Sequence, residues 1–294
     1  MEQKAFCQQD PDQDEEEEAP EDQAEYDSVL ISSAGDLVAA LAGALGADFA
    51  PAFIKFFPLI AKYYVRIQSS PSLLLLTAIV QKPIRSLSDR SSAIGCLAEI
   101  IAGMKSAVTP STEPLLELFY SALSDSEPEV QSNAAFAVGQ LVENTGVDLS
   151  PQYLHLLQAL RPLFDVTSDS SPAKLNAKDN AAGSVGRLIL RNTAAIPLDQ
   201  VLPIFVGALP LKNDFLENRP VFRALFHMFR MNGSALYPYL DRLLQVFAHV
   251  LDPNGPDQVG DEIKAELINF IGVINAEEPG KVQAAGLAVF LPGA

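Results

Sequence analysis

The sequence predicts an all-α solenoid: about five stacked helical hairpins with a partial repeat at each end. Two observations carry that prediction. First, an aliphatic-Gly-x-aliphatic core recurs as Ile94-Gly95-Cys96-Leu97, Val138-Gly139-Gln140-Leu141, Val185-Gly186-Arg187-Leu188 and Ile271-Gly272-Val273-Ile274. Its glycines are 44, 47 and 86 residues apart, the last being twice 43, and Arg223-Ala224-Leu225-Phe226-His227-Met228-Phe229 is a degenerate copy in the gap. Second, helical periodicity runs from residue 27 almost to the end, with no sustained alternation and no Asn-Gly hairpin between β-branched runs.

A period of roughly 40–47 residues is that of two-helix HEAT or armadillo repeats. A lone helix is expected over 27–45, hairpins near 48–107, 110–146, 149–192, 197–232 and 234–277, and a last partial helix to Leu291. The clearest unit runs from Pro110 to Thr145. Thr112 reads as an N-cap with Pro114 in the first turn, and Leu115, Leu116, Phe119 and Leu123 form one apolar stripe. Ser126 reads as the cap of the second helix, which has Pro128 in its first turn and turns Val130, Ala134, Ala137, Val138 and Leu141 toward its neighbour. A glycine inside a helix costs about 1 kcal/mol relative to alanine, so Gly139 and Gly186, beside Ala134, Ala135, Ala181 and Ala182, point to closely approaching helices. Each repeat covers its neighbour's apolar face, so the array, ending in the middle of a first helix, reads as part of a longer one.

Two segments break the pattern. Residues 1–26 read as a disordered acidic tail, because QQDPDQDEEEEAPEDQAEY has too little apolar surface to offset its ordering entropy. Residues 65–87 read as an irregular insertion, and within it 65–81 (VRIQSSPSLLLLTAIVQ) has no helical stripe. Its 17 residues begin with Val and end with Gln, whose codons can supply the opening GT and closing AG of an intron. A translated intron and a surface loop both fit.

The formal net charge is −17, and residues 1–27 hold 12 of the 37 acidic side chains against Lys4 alone. The remaining chain is only mildly acidic. Such a balance repels nucleic acid and anionic lipid and attracts basic partners. Cys7 and Cys96 lie far apart, without a CxxC, which suggests free thiols in a reducing compartment. There is no basic-then-apolar secretory start, and the apolar run Leu73–Val80 is too short to span a bilayer.

Enzyme chemistry finds no support. His155, His227 and His249 are scattered through apolar helical stretches, and no HExxH, GxSxG, Walker loop or zinc spacing occurs. The run Asp14, Glu15, Glu16, Glu17 and Glu18 lacks the spaced oxygens and turn glycine of a calcium loop. No cofactor is called for. A binding role remains. In HEAT arrays the second helices line the concave surface, so their N-terminal and polar positions are the candidates for contacting a partner. These are Glu129, Asn133, Asp179, Asn180, Glu217, Asn218, Asp261, Glu262 and Asn269. Asparagines there can hydrogen-bond an extended backbone and carboxylates can pair with Lys or Arg. Equally, Asp and Asn near helix starts serve as caps.

The segment Asp125-Ser126-Glu127-Pro128-Glu129-Val130-Gln131-Ser132-Asn133-Ala134-Ala135-Phe136-Ala137-Val138-Gly139 resembles the general HEAT second helix, with Gln131 where Arg is commoner. That change should weaken the usual Asp–Arg ladder between repeats. Ser86-Leu87-Ser88-Asp89-Arg90-Ser91-Ser92-Ala93-Ile94-Gly95 and Lys178-Asp179-Asn180-Ala181-Ala182-Gly183 resemble the C-terminal half of importin-β family karyopherins, notably the fungal importin-4 type. The acidic tract before Tyr26-Asp27-Ser28-Val29-Leu30-Ile31 is similar to an insertion in that branch. The resemblance implies a right-handed solenoid that shuttles between cytoplasm and nucleus. It would wrap basic cargo such as histones or ribosomal proteins on an acidic concave surface, without contacting nucleic acid or membrane. It also implies nucleoporins as partners and release by the GTPase Ran, contacted mainly through N-terminal repeats not present here. A HEAT scaffold and an acidic histone chaperone-like protein are the alternative classes.

Overall fold

The computed structural model describes residues 21–64 and 86–291, with side chains from residue 29 onward. Residues 1–20 and 65–85 lie outside the described residues, and with them Asp14 to Glu18 and the whole of 65–81. The helices are α1 (Glu21–Leu45), α2 (Ala50–Tyr64), α3 (Leu87–Met104), α4 (Thr112–Leu123), α5 (Pro128–Asn144) and α6 (Tyr153–Leu160). They continue as α7 (Pro172–Asn192), α8 (Leu198–Gly207), α9 (Asn218–Asn232), α10 (Leu240–Val250), α11 (Asp261–Glu277) and α12 (Pro279–Ala284). No strand occurs among the described residues.

The odd-numbered helices make one layer, α1 against α3, α3 against α5, then α7, α9 and α11 in turn. The even-numbered helices back it, with α2 on α3, α4 on α5 and α6 on α7. This is a HEAT-type stack of five hairpins. The helix expected to stand alone at 27–45 is the odd-layer member ahead of the first hairpin, and it starts at Glu21, inside the stretch read as tail. The expected insertion also ends earlier than 87. The Ser86 hydroxyl accepts the Asp89 amide (3.1 Å), capping α3, which opens at Leu87.

Local chemistry sets the other boundaries, with two departures from expectation. Ser111, not Thr112, precedes α4; the Thr112 hydroxyl instead meets Thr145 Oγ1 (2.6 Å) and ties the start of α4 to the end of α5. Ser126 is exposed and caps nothing, because Asp125 Oδ1 accepts the Glu127 amide (3.1 Å) and shapes the turn before Pro128. The apolar stripes are where the periodicity puts them: Leu115, Leu116, Phe119 and Leu123 on α4, and Val130, Ala134, Ala137, Val138 and Leu141 on α5, are all buried.

Close approach within the odd layer explains its small residues. A Cβ on Gly186 would lie 2.8 Å from the Pro220 carbonyl, and one on Gly103 would lie 2.7 Å from backbone atoms of Ala42 and Gly43. At Gly272 the nearest atom would be 3.8 Å away. Two helical stretches, Val29–Tyr64 and Leu87–Leu123, are long and apolar enough by composition to cross a bilayer. Each is in fact two helices of the stack, joined at a left-handed residue, Gly46 (φ 56) or Lys105 (φ 51).

Candidate partner-binding face

Polar side chains at matched levels stitch neighbouring odd helices together. Asn133 Nδ2 donates to the carbonyl (2.9 Å) and hydroxyl (3.0 Å) of Ser91, joining α5 to α3. Asn180 Nδ2 donates to Ser132 Oγ (3.0 Å) and Ser184 Oγ to the Ala135 carbonyl, joining α7 to α5. Asn218 Nδ2 donates to the Gln258 carbonyl (2.9 Å), reaching the loop before α11. The Asp–Arg ladder also persists in altered form. Gln131 donates to the Asp125 carbonyl (2.8 Å) and leaves the Asp125 carboxylate to Arg90 (3.3 Å).

The strongest link is the buried pair of Arg187 on α7 and Glu217 just before α9. Nη1 reaches Oε2 and Nη2 reaches Oε1 (3.0 Å), a bidentate fork, while Nε bonds Glu143 Oε2 (2.8 Å). Glu217 is 2 % exposed. Burial pushes its carboxyl above the ordinary value, against the pull of Arg187. Burial also opposes the Arg187 cation, but hydrogen bonds and charge from Glu217 and Glu143 outweigh it and raise its pKa. Fork geometry needs both partners ionised.

Asp179 performs a second structural task. Its Oδ2 accepts three successive amides, Lys212 (2.9 Å), Asn213 (2.7 Å) and Asp214 (3.0 Å), so α7 fixes the turn that leads into α9. Replacing Asp179 with alanine leaves those donors without their charged acceptor. The expected loss is about 2–3 kcal/mol, read as a lowered urea midpoint, with Asp179→Asn losing less.

The nine residues proposed from sequence therefore divide. Asp179, Asn180, Glu217 and Asn218 are buried and Asn133 is half-buried, with their polar groups committed to the seams between repeats. They position helices. Glu129, Asp261, Glu262 and Asn269 are exposed; Glu262 holds Arg223 at 2.8 Å. Glu129, Asp261 and Glu262 lie in the first turns of odd helices, and Asp169, Asp252 and Asp257 are exposed in the turns leading into α7 and α11. One edge of the odd layer thus carries carboxylates at α5, α7 and α11, interrupted by exposed Lys174, Lys212 and Arg219 at α7 and α9.

The open face differs in charge. A hollow of about 520 Å³ runs across α3, α5, α7 and α9, and it is lined by Arg187, Arg191, Arg219 and Arg223 against Glu99, Glu143 and Glu217. The hollow itself is of mixed charge: Glu217 is buried, Glu143 is paired with Arg187, and Glu99 is exposed. The sequence reading passed over these arginines. Their spacing of four on each helix, Arg187 with Arg191 and Arg219 with Arg223, was the available signal. Among the described residues no group of three metal-ligating side chains comes together, and the histidines remain apart, each with a local partner: Tyr120 for His155, Thr193 for His227 and Gln258 for His249.

A stack of helical hairpins, laddered inside and open on one layer, is the architecture of a HEAT-repeat binding protein, and the HEAT repeat pattern matches residues 115–145. The chain is 41% identical over 250 residues to the probable importin subunit beta-4 of Schizosaccharomyces pombe, covering 85% of this chain and 21% of that one. It is 30% identical over 264 residues to importin-4 of Homo sapiens, covering 90% of this chain and 22% of that one. The chain belongs to the importin-β family, as a HEAT region similar to that of importin-4. It spans about a fifth of the length of the curated relatives it matches.

Proposed function

We propose that the chain is a cargo-holding stretch of a nuclear import receptor, binding Lys- and Arg-rich proteins such as histones or ribosomal proteins and moving between cytoplasm and nucleus. The observation that carries this reading is the 41% identity to an importin subunit over 85% of the chain. The exposed carboxylates at the N-terminal edge of the odd layer support it, since basic side chains would pair with Glu129 at α5 and with Asp261 and Glu262 at α11. Nucleoporins and the GTPase Ran are further partners of the whole receptor on this reading. Rim charges act mainly on association rate and salt dependence.

The test is anisotropy of a labelled Lys-rich peptide titrated with the whole chain at low and physiological salt. Saturable binding that weakens with salt is expected, and the triple change Glu129→Gln, Asp261→Asn, Glu262→Gln should weaken it about fivefold to tenfold. Unaltered binding in the triple variant would refute the edge as the cargo contact. Binding lost on removal of the segment containing Asp14 to Glu18 would favour the chaperone-like class instead.

A further inference from the structure

We propose that the hollow between α7 and α9 binds an acidic peptide segment bearing an aliphatic or aromatic side chain, a ligand opposite in sign to the cargo proposed above. The inference does not rest on that cargo reading. Its starting point is unspent positive charge. Two of the three glutamates lining the hollow, Glu143 and Glu217, are already bound to Arg187. Arg219 is exposed and makes no ion pair or hydrogen bond among the described residues. Arg191 is exposed and donates from Nη2 to the Thr145 carbonyl (2.9 Å); its charge acts on Asp148, but no carboxylate stands at ion-pair distance among the described residues. Arg223 is held by Glu262, and the third glutamate, Glu99, is exposed at the α3 end, so the cations without a carboxylate at ion-pair distance, Arg191 and Arg219, stand together at the α7–α9 end of the hollow.

Beside these guanidinium groups stands an apolar surface. Leu216 is 84% exposed and Leu190 36%, both on the hollow, with Phe136 and Pro220 also in its wall. A guanidinium fork matches a carboxylate in two parallel hydrogen bonds. At the α7–α9 end a Glu- or Asp-rich segment gains charge pairing with Arg191 and Arg219 and covers Leu216. The 520 Å³ of the hollow suits a few side chains, not a folded domain.

The proposed ligand is a segment of another protein, and binding of a peptide in trans is the readout.

The probe is a short Glu-rich peptide carrying one Phe and one Leu, with a Gln-for-Glu version as control, titrated into the whole chain by anisotropy. Saturable, salt-weakened binding of the Glu peptide and none of the control is expected. Arg219→Glu, an exposed change that leaves the fold intact, should weaken it at least tenfold, and Leu216→Ser severalfold. Neither should weaken the Lys-rich peptide, so loss of one activity is separable from loss of the other. Absence of saturable binding, or undiminished binding in Arg219→Glu, overturns the proposal. So does equally tight, Arg219-dependent binding of an oligonucleotide, which would reassign the hollow to phosphate.

Discussion

Replacing Arg187 with methionine is expected to destabilise the fold by about 3–5 kcal/mol, the range for a buried ion pair that loses one partner. The cause is less the lost attraction than what remains. Glu217, 2 % exposed, would keep a carboxylate in the seam between α7 and α9 without the fork that satisfied both its oxygens. Removing both charges in Arg187→Met/Glu217→Leu should recover most of the loss, since apolar groups of similar volume need no partner. The sign of the pH dependence follows. Burial already holds the Glu217 carboxyl above its ordinary value. Without Arg187 it rises further, so native protein binds the proton more readily than unfolded chain does. Stability from this group is then lost as pH rises through its raised pKa, and the deficit of Arg187→Met should shrink as pH is lowered. Urea unfolding of the two single variants and the double variant checks this. Additive losses would show that the pair is not coupled.

Alanine at Gly103 is expected to cost about 3 kcal/mol, where an ordinary helix interior would gain up to about 1 kcal/mol from the same change. A Cβ there meets Ala42 C and Gly43 N at 2.7 Å and Ala42 O at 2.9 Å. All three are backbone atoms, so no rotamer relieves the clash and α1 must move off α3. For a chain of this size the melting temperature should fall by roughly 6–10 °C, with α1 amides losing exchange protection first. Gly43→Ala supplies the control, because its Cβ finds nothing within 4 Å and should stabilise slightly. A neutral Gly103→Ala variant would contradict the packing.

The stack was legible in the sequence because its cause is periodic. Three glycines of the repeated core, Gly95, Gly139 and Gly186, fall where odd helices touch, Gly272 does not, and the hairpin read over 110–146 corresponds to α4 and α5, Thr112–Asn144. Caps were less legible. Thr112 and Ser126 had suitable side chains, but a cross-helix partner claimed the first, and Asp125, one residue earlier, did the work expected of the second.

The site was misread for a related reason. Asp179, Asn180, Glu217 and Asn218 lie near small residues of the seam, and helical phase turns them inward; polarity alone suggested an outward face. Asp179 and Gly183, four residues apart, face the turn into α9, while Asn180 and Ser184, also four apart, face α5, so both pairs are buried where α7 is wedged between its neighbours. The open-face arginines were missed because an acidic composition directed attention to carboxylates. Net charge describes the chain, whereas a ligand meets the few groups left unpaired.

Hydrogen–deuterium exchange of the whole chain, with and without a saturating Lys-rich peptide, tests the cargo-holding role most directly. The expected result is slowed exchange in the first turns of α5, α7, α9 and α11 and in the turns that lead into them. Slowed exchange confined to residues 10–20, with the helical layer unaffected, would contradict it and move the binding to the acidic segment.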